Sequence, residues 1–172
     1  SDSIFWAGSI GGGLNVINVK SNSIAAVTHD PDNINALVGN DLMCSYRDRD
    51  DNEWLGTLTG VSKISSRAAA ITAYRGASMG YSKDANIVSI VKGSNGHLFI
   101  GAYFLRTIFE LDAITQKTTA LKYPNMIPVW TVNNFDNRLV FSGAGKSVTW
   151  YDPVKRQYEQ SGLLEKYFPN SD

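Results

Sequence analysis

Few residues in this chain have the types and spacing that chemistry needs. Gly143-Ala144-Gly145-Lys146-Ser147 ends in the Gly-Lys-Ser order of a phosphate loop. That loop needs a Gly five positions before its Gly-Lys, where Val140 stands, and a helix after it, where Ser147 to Tyr151 reads as strand. Gly11-Gly12-Gly13 has Val16 where a dinucleotide fingerprint has its last Gly, so it reads as a turn before a strand. Asp48-Arg49-Asp50-Asp51-Asn52-Glu53 is acidic, but a calcium loop starting at Asp48 would need Gly at Glu53 and Glu at Thr59. It reads as a solvated turn. His29 and His97 have no His, Cys or carboxylate at ligand spacing, so no metal site is expected. Cys44 reads as a small buried hydrophobe on an inner strand. There is no Gly-x-Ser-x-Gly elbow, and no carboxylate pair stands out by context. Hydrolysis would have to use carboxylates distant in sequence. The reading is no catalytic residue, no metal and no cofactor.

The bulk composition narrows the classes further. At 172 residues, with 43% hydrophobic and 11% aromatic residues, the chain is long enough and apolar enough to bury a core. Lys plus Arg and Asp plus Glu both number 16, so there is no basic surplus to meet a phosphate backbone and no nucleic-acid partner is expected. One cysteine permits no intrachain disulfide. No apolar run approaches the length that spans a bilayer, and no signal peptide is present. The chain opens inside a repeat without Met, which reads as an excised piece of a longer protein.

The elements that must carry any site are set by that repeat. Glu53-Trp54-Leu55-Gly56-Thr57, followed by Gly60-Val61, has counterparts at Phe5-Trp6-Ala7-Gly8-Ser9, Leu98-Phe99-Ile100-Gly101-Ala102 and, more loosely, Val140-Phe141-Ser142-Gly143. The glycines Gly8, Gly56, Gly101 and Gly143 are 48, 45 and 42 residues apart. Each period divides into short extended runs broken by Gly, Asn, Asp and Ser. The predicted strands are 5–9, 13–19 and 23–28; 42–47, 53–58, 60–65 and 70–74; 87–92, 97–102, 107–111 and 118–123; and 129–134, 138–142, 147–151 and 157–160. Asp50-Asp51-Asn52, Gly93-Ser94-Asn95-Gly96 and Asp136-Asn137 supply tight-turn chemistry. Beyond Gly162, Leu163, Leu164, Tyr167 and Phe168 fit one face of a helical turn.

Four strands in a period of about 40–45 residues are the mark of a propeller blade. The expected fold class is therefore all-β: about four β-propeller blades of four-stranded antiparallel sheets, a partial propeller, forming one fragment over 1–172. The blades are expected at about 4–28, 42–74, 87–123 and 129–160, the first without its inner strand.

The motif resembles the two-component-regulator propeller repeat. The likeness rests on Trp54-Leu55-Gly56-Thr57 with Gly60-Val61, on Trp6-Ala7-Gly8-Ser9 with Gly13-Leu14, and on the His29–Leu37 connection. It also rests on the third-strand endings Phe109-Glu110-Leu111-Asp112 and Trp150-Tyr151-Asp152-Pro153. The third copy departs from it, with Phe104-Leu105-Arg106 in place of Gly-Leu, and the fourth is degenerate. The resemblance implies the periplasmic sensor region of a hybrid two-component histidine kinase of Bacteroidetes, anchored in the inner membrane. It further implies a propeller of more than four blades that responds to breakdown products of polysaccharides.

In such a fold, one face collects the loops between second and third strands and the connections between blades. Arg75, Tyr81, Tyr103, Arg106 and Trp130 lie in or beside these segments, and the aromatic faces and guanidinium groups suit a sugar. These five are the expected ligand-binding residues, with an oligosaccharide as the expected ligand. A propeller lyase or glycosidase and a protein-interaction scaffold remain the alternatives. Uncovered end blades also lead us to expect self-association, or pairing with the rest of a parent propeller.

Overall fold

The computed structural model describes residues 3–68, 70–75, 79–81, 85–121, 128–143 and 148–161. The proposed helical turn after Gly162 and residues 144–147 of the Gly-Lys-Ser segment lie outside them. The described residues hold fifteen strands in four antiparallel sheets. The first sheet contains β1 (Ile4–Ser9), β2 (Gly13–Asn18) and β3 (Ser23–Val27). The second contains β4 (Leu42–Arg47), β5 (Glu53–Thr57), β6 (Gly60–Ile64) and β7 (Ile71–Arg75). The third contains β8 (Ile87–Lys92), β9 (Leu98–Ala102), β10 (Thr107–Leu111) and β11 (Thr118–Leu121). The fourth contains β12 (Val129–Phe135), β13 (Arg138–Gly143), β14 (Val148–Asp152) and β15 (Gln157–Ser161). In every sheet the spatial order follows the chain order, which is the meander of a propeller blade. Sixteen of the thirty strand ends coincide with the predicted runs, and the others differ by a residue or two. The fold class is all-β, built of propeller blades.

The chain divides into two compact units, Ser1–Ile87 and Val88–Asp172. In the first, Leu14, Leu37 and Leu55 form a buried cluster, with Val16, Val27, Leu42, Ile64 and Ile71 packed around it. The connection from β3 to β4 is tied down along its length. His29 Nδ1 lies 2.6 Å from the Leu37 carbonyl, Val38 N donates to Ser62 Oγ, and Thr59 Oγ1 donates to the Val38 carbonyl. His29 is thus an interblade loop residue. In the second unit, Phe99, Ile108, Leu121, Val129, Val132, Leu139, Phe141 and Tyr151 make one buried cluster.

The repeated glycines mark where sheets come closest. A Cβ built on Gly56 would lie 2.5 Å from Cys44 Sγ and 2.7 Å from Ile87 Cγ2. On Gly8 it would meet Leu42 Cβ at 2.9 Å, and on Gly101 it would meet Val132 and Val129 at 3.2 and 3.3 Å. Pairing corrects the fourth copy. Gly56 pairs with Val61 and sits opposite Cys44, one residue before the partner of Leu42. In the last sheet that place belongs to Ser142, which pairs with Val148 and Thr131, while Gly143 is the partner of Val129. The position requires a small residue rather than Gly as such, and the visible Gly of that copy stands one place beyond it.

Polar residues close the opposite ends of the sheets. Asp48 ties the β4–β5 turn together by accepting from Trp54 Nε1 at 2.9 Å, the Asn52 side chain and amide, and the Asp50 amide. Partial burial pushes its carboxyl up, but those donors outweigh this and hold it below the usual carboxylate value. In the β8–β9 turn, Asn95 Nδ2 and His97 Nδ1 both bind Glu110 Oε1, at 2.8 and 2.9 Å. Arg156 donates to Glu110 Oε2 at 2.8 Å. The β12–β13 turn is two residues, Asp136 and Asn137, at φ 50° and 61°, the left-handed pair of a tight hairpin.

Two predictions follow from this packing. Gly56→Ala forces the new methyl group into Cys44 and Ile87 and should cost about 1–3 kcal/mol in urea unfolding, as overpacking does. Asp48→Ala strands the Trp54 indole and Asn52 donors and should cost about 1–3 kcal/mol at pH 7. A depressed carboxyl contributes stability above its unfolded value of about 3.9 and loses it as pH falls through the folded value. The gap between wild type and Asp48→Ala should therefore close on titration from pH 7 to pH 2.

Candidate functional site

Both units contain a β-bulge at the head of the first strand of a complete sheet. In β4 the pairing jumps from Leu42↔Thr57 to Cys44↔Gly56, leaving Met43 unpaired. In β12 it jumps from Val129↔Gly143 to Thr131↔Ser142, leaving Trp130 unpaired. A bulge re-aims the extra side chain. Trp130 is 54% exposed, although Val129 and Val132 beside it are buried at 1% and 2%. Trp130, expected in or beside a connecting loop, is a strand residue of β12 turned outward.

Beside Trp130 lies the turn that joins β9 to β10. The Arg106 amide donates to the Tyr103 carbonyl at 3.1 Å, and Arg106 takes a left-handed φ of 50°. This turn places the Tyr103 ring 4.3 Å from Trp130, tilted at 46°, and 5.4 Å from Phe104, edge to face. Phe104 is 61% exposed. Three aromatic rings thus form one partly exposed surface, with Arg106 exposed on the same turn. Of the five expected residues, the structure brings Tyr103 and Trp130 together and places Arg106 on the adjoining turn. Arg75 ends β7, paired with Gly60, and the Tyr81 hydroxyl donates to Met79 Sδ at 3.7 Å; both belong to the first unit. Phe104 was missed by sequence reasoning, although its signal was present. It occupies the place where the third copy abandons the Gly-Leu of the repeat.

The titratable candidates behave structurally. Burial pushes the Cys44 thiol up to about 12, and the Gly56 amide only partly offsets this, so it is no thiolate nucleophile near neutrality. Its Sγ instead donates weakly to the Ile87 carbonyl at 3.6 Å. His97 is held at a strand edge by Glu110. Among the described residues, no three His, Cys, Asp or Glu side chains are grouped to hold a metal ion. No helix among them is long and apolar enough to cross a membrane.

The first unit holds a cavity of about 440 Å³ between β1 and β4, lined by Ile4, Phe5, Trp6 and Gly8 on one side and by Met43 and Cys44 on the other.

No protein-family model and no curated protein matches the chain. Solved structures do. The extracellular domain of BT3049 of B. thetaiotaomicron, described as a hybrid two component system, superposes with TM-score 0.77 at 14% identity, over 94% of this chain and 22% of that one. The extracellular domain of BT4673 of the same organism, described as a one component system, gives TM-score 0.73 at 14% identity, over 92% and 21%. Virginiamycin B lyase from Staphylococcus aureus gives TM-score 0.70 at 16% identity, over 93% and 52%. The chain therefore spans about a fifth of the two extracellular domains and about half of the lyase. At these identities the likeness speaks for the fold: strands and meanders of this chain are laid out as in those proteins.

Proposed function

We propose that this chain is part of an extracytoplasmic sensor propeller, that it binds a glycan-derived ligand, and that it performs no chemistry itself. The observation that carries the reading is the exposed Tyr103–Phe104–Trp130 surface. Flat rings suit the apolar faces of sugar rings, and the Arg106 guanidinium on the same turn suits hydroxyl or carboxylate oxygens. The fold likeness to extracellular domains of two-component and one-component systems supports the sensor setting. The parent would be a histidine kinase anchored in the inner membrane, with this part in the periplasm. Signal would arise because ligand favours one of two arrangements of sensor chains, shifting their balance by its differential affinity. The lyase likeness keeps an enzymatic reading as a defined outcome of the test.

The test is an oligosaccharide screen on the chain, followed by calorimetry with the best binder. Tyr103→Ala and Trp130→Ala should each weaken binding at least tenfold, about 1.4 kcal/mol. Unchanged affinity in both variants removes the aromatic surface from the site. Consumption of the saccharide would make the chain an enzyme, and an empty screen beside a bound protein would make it a scaffold.

Arg106 offers a separate check. A non-glycine residue in the left-handed region is strained, so Arg106→Gly should stabilise the chain by about 1 kcal/mol in urea unfolding. The same change should weaken saccharide binding several-fold in calorimetry, because the turn is kept and the guanidinium is lost.

A further inference from the structure

The contact between Trp130 and Tyr103 joins two sheets. Trp130 stands on β12 of the fourth sheet, and Tyr103 on the β9–β10 turn of the third. Their rings stay 4.3 Å apart only while β12 keeps one register against the third sheet. The bulge does not fix that register. It frees Trp130 from pairing with β13, and among the described residues β12 is the edge strand of its sheet, with no strand paired on its other side.

Side chains do there what a neighbouring strand would do. Ser89 of β8 is 8% exposed, and its Oγ donates to the Val132 carbonyl at 3.0 Å and accepts from the Val132 amide at 3.1 Å. One hydroxyl, being both donor and acceptor, thus satisfies both main-chain groups of a buried residue. Ser89 is itself held in place, because its Cβ lies 3.5 Å from where Gly101 of β9 would carry one. Farther along β12, Asn134 Nδ2 donates to the Lys92 carbonyl, and Ser94 Oγ donates to the Asn137 carbonyl, each at 2.8 Å. Those ties lie four and seven residues beyond Trp130, whereas Ser89 acts two residues beyond it. In the first unit Cys44 reaches the Ile87 carbonyl in the same manner, but with a single contact at 3.6 Å from a weak thiol donor.

We propose that Ser89 is the positioning residue of the aromatic surface: set between Gly101, two residues before Tyr103, and Val132, two residues after Trp130, it fixes the register in which the two rings touch. It is buried and acts on binding only through Trp130. Affinity at such a surface depends on pre-organisation, because rings that wander must be ordered again by each ligand. The dependence of binding on Ser89 rests on the saccharide reading above; the placement of Trp130 does not.

The experiment labels the 172-residue chain with 5-fluorotryptophan and reads fluorine NMR, the Trp130 signal being assigned by its loss in Trp130→Phe. Tyr103→Leu removes the neighbouring ring and sets the shift that loss of the ring contact produces. Ser89→Ala should move the Trp130 signal in the same direction, by about half of that shift or more, and leave the Trp150 signal of β14 in place. Ser89→Cys keeps the shape with a weaker donor and should move the Trp130 signal the same way by less. Calorimetry with the saccharide that the screen above returns should show binding weakened about threefold or more by Ser89→Ala. A Trp130 signal that stays in place overturns the proposal, even if the urea midpoint falls. A common movement of Trp130 and Trp150 also overturns it, because general loosening of the sheet does that. If Ser89→Ala does not fold, Ser89→Cys decides by the same two signals. A moved Trp130 signal with unchanged saccharide affinity overturns the effect on binding. An empty screen overturns the saccharide reading, and the fluorine signals then decide the placement of Trp130 alone.

Discussion

Two sheets can pack this closely only where one of them lacks side-chain bulk at the point of contact. At Gly8 the neighbour is Leu42, at Gly56 it is Ile87, and at Gly101 it is Val129 with Val132. In each, the side chain that meets the glycine comes from a strand of another sheet. Each unit also has a buried apolar cluster, with Leu14, Leu37 and Leu55 in one and Phe99, Phe141 and Tyr151 in the other. A four-stranded sheet with apolar residues on both faces has no stable state alone in water, so the contact that lets sheets stack is also the one that lets them fold.

The ends of the sheets obey a different constraint. Their turns leave main-chain donors exposed to competition from water, and the chain answers with carboxylates and amides. Asp48 serves the second sheet, and Asn95 with Glu110 serves the third. Glu110 is 4% exposed, yet its two oxygens accept from Asn95, His97 and Arg156, so its charge is buried with partners on both sides. The residues that first drew attention as possible chemistry, the acidic run at 48–53 and His97, are spent on holding turns.

Much of this was legible in the sequence because its signals are local. Strand runs alternate, turns carry Asn, Asp and Gly, and the repeat places the sheets. Pairing is not local, and there the sequence misled. Gly143 looks like the fourth copy's counterpart of Gly56, but pairing gives that role to Ser142, opposite Thr131, with Gly143 the partner of Val129. The site was legible in part for the same reason. Tyr103, Arg106 and Trp130 could be assigned to one face from strand counting. The exposure of Trp130 rests on a bulge that only pairing reveals, and the contribution of Phe104 rests on a turn conformation. Arg75 and Tyr81 satisfied the same counting rule and belong to the other unit.

The bulges tie the packing to the candidate site. In a regular strand, residues two apart face the same side. Leu42 must face back toward Gly8, while Cys44, two residues on, must face forward toward Gly56 and the Ile87 carbonyl. Val129 faces back toward Gly101, while Thr131 sits opposite Ser142. An extra residue between them lets the strand change sides. Met43 and Trp130 are those residues, 39% and 54% exposed. Close packing thus forces an outward side chain at the head of each of these two strands without dictating what it is. At the head of β12 that outward side chain is Trp130, its ring tilted against Tyr103 with centroids 4.3 Å apart.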